Sequence, residues 1–284
     1  MSDGVAAADG RATGPGTASD GRPGTRGSAT YRDLFRVVGR KRLALLVRYP
    51  VNTIAQVGTL FMIFTVVFVG GRAVSAQALD DSLGGIVVGF FLYSLALMAF
   101  SGLSWNVIHE SQWGTLEQLY MSPFGFGRVM FVSLTVRVLE SFLWGGITLA
   151  FMLVVTGETL ALNVVTVLVL SVLALLPAIG LGFAFGGLAM VYKRVENAFQ
   201  LMNFVFVGLV AVPASGIVWA RLLPVSQGTY LLSMAMQENR RLWELPAGDL
   251  ALLVGVGVGY FAAGYGVFAW MTRRARREGL MGHY

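Results

Sequence analysis

Ser215, in Pro213-Ala214-Ser215-Gly216, has the look of a nucleophile in an intramembrane serine hydrolase. A serine attacks only when a neighbouring base takes its proton. The chain has two histidines, His109 and His283, and neither falls in an apolar stretch that could face Ser215. Ser215 and Gly216 read more simply as helix-breaking, close-packing residues. Arg137 and Glu140 stand three apart on one helical face and are the charged candidates for the relay of an ion-coupled carrier. At the edge of an apolar span, mutual pairing and snorkelling of the arginine account for both. The sequence contains no cysteine, which removes disulfides, cysteine-ligated metals and thiol nucleophiles. Its two lysines, Lys41 and Lys193, do not complete G-x-x-x-x-G-K-[ST], so this chain is not its own P-loop ATPase. These exclusions leave no catalytic, cofactor-binding or metal-ligating set.

The remaining candidate is HESQWGTLEQLYMSP, His109 to Pro123, a polar island between apolar stretches. Gly114 breaks the preceding segment, and Thr115 is placed to cap a helix with Gln118 as its capping-box partner. Glu117 sits in the first turn, near the positive end of the helix dipole. Leu116, Leu119 and Tyr120 share one face, and Pro123 forbids continuation. A helix of about two turns is too short to stand alone in water, so it must lean on its own membrane domain or on a partner.

The elements that position this island are membrane elements. Of 284 residues 56% are hydrophobic and 13% charged, with a mean hydropathy of +0.69, which places the chain among integral membrane proteins. Residues 1–29 are rich in Gly, Ala, Ser, Thr, Asp and Pro and read as a disordered tail without a secretory signal pattern. YRDLFRVVGRKRLALLVRYP then mixes apolar residues with six bases, as expected of an amphipathic helix in the headgroup plane, and Pro50 ends it. Stretches long enough to cross about 30 Å of hydrocarbon follow. They cover residues 52–71, 84–104, 138–157, 162–190, 198–220 and 249–271, making an all-α protein of six spans within a domain of residues 30–275. Residues 276–284 form a C-terminal tail. The arginine and lysine distribution puts both termini in the cytoplasm, with the polar island in the cytoplasmic loop between spans two and three. The net charge of +6 resides in bases flanking the apolar spans, which argues for membrane orientation and against nucleic acid. Gly255, Gly259 and Ala263 recur at four-residue spacing, a pattern expected to pack helices within the subunit. No similarity between the two halves suggests an inverted-repeat carrier.

Glu110, then Gly114-Thr115-Leu116-Glu117-Gln118-Leu119, then Ser122-Pro123 resemble the E-x-x-x-G-T-L-E-Q-L-x-x-S-P stretch of the ABC-2 type transporter permeases. Those permeases are the membrane subunits of a class of ABC exporters. The resemblance extends over about residues 30–275 and implies that Glu110 and Gly114 to Pro123, including Tyr120, form a coupling helix that docks on a separate ATP-binding subunit. It further implies a dimer of permeases, homomeric or heteromeric, in the cell membrane, with ATP and magnesium bound by the partner chain. After span five, VPASGIVWARLLPVSQGTYLLSMAM is compressed relative to the family's P-x-S-G and L-P spacing, so the external segment 221–248 follows from neither source.

Overall fold

The computed structural model describes residues 31–74, 76–112, 126–192, 195–211 and 218–277. All regular structure among them is helical. In chain order the helices are α1 (Tyr31–Arg48), α2 (Pro50–Val74), α3 (Ala76–Gln112), α4 (Phe126–Thr156), α5 (Val164–Val191) and α6 (Glu196–Ala211). A 3-10 helix (Val218–Leu222), α7 (Ser226–Gln237), a second 3-10 helix (Leu242–Glu244) and α8 (Ala247–Arg277) complete the order. Local chemistry sets several boundaries. Tyr49 separates α1 from α2, and Pro50 occupies the first position of α2, where its missing N–H costs nothing. Asn163 caps α5, its Oδ1 accepting from Thr166 N at 3.5 Å.

Among the described residues, five helices carry apolar stretches long enough to cross a bilayer: Ile54–Ala73, Ser82–Gly102, Arg128–Thr156, Val164–Val191 and Ala247–Ala275. The sixth expected span, 198–220, is described only in part. Its apolar helix α6 has 16 residues and ends at Ala211, and the next described residues turn in the 3-10 helix Val218–Leu222. At about 1.5 Å per residue, the described part of this stretch covers roughly 24 Å, and residues 212–217 lie outside the described residues.

The central helix is α3, whose Leu92, Leu95, Ala96, Ala99 and Phe100 have no exposed surface. Phe100 meets Phe185, Phe199 and Phe206 at ring separations of 5.5, 5.5 and 5.2 Å and draws α5 and α6 onto α3. The outer helices bury one face and present the other, with Val51, Val154 and Phe204 at least three-quarters exposed, as lipid-facing side chains are.

Helices α5 and α8 pack backbone on backbone. A Cβ on Gly180 would overlap the Tyr260 carbonyl, and one on Gly264 would overlap Gly180 itself. Pro177 lacks the N–H that the Leu173 carbonyl would otherwise accept, and Gly257 of α8 passes against that same carbonyl. The expected stripe lies elsewhere: Gly255 and Gly259 have nothing within 4 Å, so packing within the subunit uses Gly257 and Gly264 on another face.

The segment before α8 folds inward. Ala161 N donates to Met236 O at 2.8 Å, while Gly228, near the start of α7, lies against Ala174. Helix α7 therefore returns antiparallel along α5 over about ten residues, roughly 15 Å, or half the hydrocarbon thickness. Leu231, Leu232, Ala235 and Met236 bury it there.

Candidate functional site

At the end of the bundle that carries α1, three charged side chains converge. Arg42 of α1 donates Nε and Nη2 to the two carboxylate oxygens of Glu140 in α4, at 2.6 and 2.8 Å. This bidentate geometry is the strongest arrangement open to an arginine and a carboxylate. One turn earlier on α4, Arg137 Nη1 lies 3.9 Å from the same carboxylate. The expected i,i+3 pair is thus present, but Glu140's closer partner comes from 98 residues away. Nothing in the sequence distinguishes Arg42 from the other bases of α1, so only folding identifies it.

The cleft around the cluster takes Gln56 from α2, Gly102 from α3 and Trp144 from α4. Its volume of about 30 Å³ admits a water or two and excludes a cargo of drug size. Glu140 is engaged by Arg42, and Ser141 Oγ donates to Val138 O at 2.7 Å, so the cluster's chemistry is ionic fastening. At the other end of α1, the Arg128 guanidinium stands 5.6 Å from the Tyr31 ring. Helix α1 is therefore bound to α4 at two points about three turns apart. The headgroup-plane reading foresaw its bases but not this attachment.

The chemistry-bearing island hangs from these same helices. Glu110 belongs to the last turns of α3, whereas Gly114, Thr115, Leu116, Glu117, Gln118, Leu119, Tyr120 and Pro123 lie outside the described residues. Helix α3 ends at Gln112 and α4 begins at Phe126, so the loop's two stems are neighbours. They pack closely: a Cβ on Gly145 would meet Leu95 Cγ at 3.0 Å, and one on Gly102 would meet Arg137 Cδ at 3.2 Å. Ser215 and His283 also lie outside the described residues, and His109 stands beside Glu110 in the last turns of α3.

A second polar group closes the opposite end. Arg221 Nη1 is 3.0 Å from Asp249 Oδ1, and its guanidinium stands 5.0 Å from the Tyr230 ring. The buried Gln227 donates Nε2 to the Asp249 carbonyl at 3.2 Å, tying the start of α7 to the first turn of α8. Ser226 Oγ donates to Leu209 O at 2.7 Å and ties the same turn to α6. The segment 221–248, whose shape the sequence left open, thus contains a buried helix with polar ties at its base.

Comparison with curated proteins gives no match. The sequence model of a family described as ABC-2 family transporter protein matches residues 72–265, well over half of the chain. That match covers α3 to α7, the loop between α3 and α4, and most of α8. An all-helical chain with five apolar spanning helices is a multi-pass membrane permease domain by this measure, and it belongs to the ABC-2 transporter family.

Proposed function

We propose that this chain is the membrane subunit of an ATP-driven exporter and that its coupling segment, Glu110 and Gly114 to Pro123, docks on a separate ABC ATPase subunit. The observation that carries the proposal is the placement of that segment's stems. Helices α3 and α4 pack side by side, and α1 holds α4 at Arg128, two residues past its start, and again at Glu140 about three turns further on. A push on the loop therefore reaches α3, the central helix, and α4, which holds α1. In this reading the α1 end and both termini face the cytoplasm, α7 lies on the external side, and two such chains complete the pathway. ATP and magnesium belong to the partner, in keeping with the absence of a phosphate-cradling loop here.

The test is co-purification with an ABC ATPase encoded beside this chain. Leu119→Ala removes a large apolar residue from the proposed contact and should cost about 2 kcal/mol or more of association. Glu117→Lys reverses the charge of the first turn and should weaken association as well. Both variants should insert and melt like the parent. Unchanged association and unchanged transport in both would reject the coupling role. Reduced thermal stability with unchanged association would assign the segment to the membrane domain alone.

A further inference from the structure

We infer that the cleft between α1, α2, α3 and α4 is a binding site for the phosphate of an anionic phospholipid. The first ground is depth, taken from three helices independently. Gln56 lies two residues inside the apolar stretch Ile54–Ala73, and Gly102 is the last residue of Ser82–Gly102. Arg137 precedes Thr156 by 19 residues, which at 1.5 Å per residue is about 28 Å, close to the full hydrocarbon thickness. All three place the cleft at one border of the hydrocarbon, the level of lipid phosphates.

The second ground is charge. Among the described residues that line the cleft the charged ones are Arg42, Arg137 and Glu140, two cations to one anion. Arg42 spends Nε and Nη2 on Glu140, and its Nη1 is not part of that pair. Gln56 adds an amide donor, and Trp144 adds an indole of the kind that settles at a lipid interface. Basic pockets between membrane helices on the cytoplasmic side take anionic headgroups for these reasons.

The third ground is access. Arg42 and Glu140 retain 26% and 13% side-chain exposure, so the cluster is open on one side. A cleft volume of about 30 Å³ excludes a folded partner and admits a headgroup oxygen. This inference rests on the permease reading only for which leaflet is involved.

The decisive experiment uses the full chain in neutral detergent, titrated separately with phosphatidylglycerol, phosphatidylcholine and inorganic phosphate while thermal unfolding is followed. Phosphatidylglycerol should raise the midpoint by on the order of 3–5 °C, and the other two should leave it nearly unchanged. Arg137→Gln should remove at least half of that shift. Glu140→Gln, which deletes the competing carboxylate, should enlarge it at equal lipid concentration. Arg40→Gln, on the exposed side of α1, should leave it intact.

The opposite signs at Arg137 and Glu140 are what a merely structural cluster cannot produce. If Arg137→Gln does not yield folded protein, Glu140→Gln carries the same test alone. Equal shifts from both lipids, or a smaller phosphatidylglycerol shift in Glu140→Gln, would overturn the site. A full shift from inorganic phosphate would replace a lipid site by an ion site and overturn it equally. No ATPase subunit takes part, so failure here leaves the coupling proposal standing, and failure of coupling leaves this one standing.

Discussion

The α5–α8 pair and the attachments of α4 hold helices together by different means. Between α5 and α8, glycine faces glycine: Gly180 against Tyr260 and Gly264, Gly187 against the Phe268 backbone, Gly257 against Leu173 O. The contacts advance together along both helices, which therefore run parallel. Around α4 the fastening is made by side chains. Phe61 stacks on Phe151 at 4.0 Å, Arg42 clasps Glu140, and Arg128 covers Tyr31. Lipid tails are as apolar as leucine, so helices in a bilayer gain little from hiding apolar surface and much from close approach. Backbone contact has one geometry. Long side chains can re-form their contacts after a shift, which makes the α1–α2–α4 group the part of the molecule suited to move against a fixed α5–α8 unit.

The comparison breaks most visibly at Gly180. Gly180→Val puts a branched side chain into the Tyr260 and Gly264 backbone and should cost about 3 kcal/mol or more, at the upper end of overpacking penalties. Loss of most monodisperse protein on size exclusion, or a large drop in melting midpoint, is the expected result. Gly259→Val, with nothing within 4 Å, should stay within about 0.5 kcal/mol of the parent. Equal damage from the two would refute the assignment of packing faces on α8.

A smaller effect is expected at the ionic fastening. Arg42→Gln leaves Glu140 without its bidentate donor and should destabilise the α1–α4 contact by about 2 kcal/mol, the range for hydrogen bonds to charged groups. Limited proteolysis should then cut α1 sooner while the α5–α8 core keeps its protection. Arg42→Lys should recover part of the loss, since an ammonium cannot reproduce the two-point contact.

The smallest expected effect sharpens the contrast between stacked rings and locked backbones. Phe61→Leu keeps an apolar side chain but removes the stack on Phe151, worth about 1 kcal/mol beyond its area. Thermal melts should register it as a modest shift without change of oligomeric state. A loss as large as that of Gly180→Val would mean that α2 belongs to the rigid unit.

Membrane class, the helical period and most span positions were legible in the chain because a bilayer demands about 20 apolar residues per crossing. The short punctuated run Gly114-Thr115-Leu116-Glu117-Gln118-Leu119 is read from local signals too, capping residues and a closing proline, and it lies outside the described residues. Three features required the fold. The segment 221–248 after the apolar stretch 198–220 had no assigned shape, and in the fold its helix α7 turns back into the bundle with Gly228 on Ala174. Composition cannot tell a crossing from a return, since both bury apolar residues. The glycines of α8 looked alike in sequence, and only the position of α5 decided that Gly257 and Gly264 pack while Gly255 and Gly259 do not. Arg42 was one of six bases in its segment, and what set it apart was a carboxylate 98 residues away. Local patterns report what a residue can do in any protein, whereas pairing across the chain exists only after the helices have met.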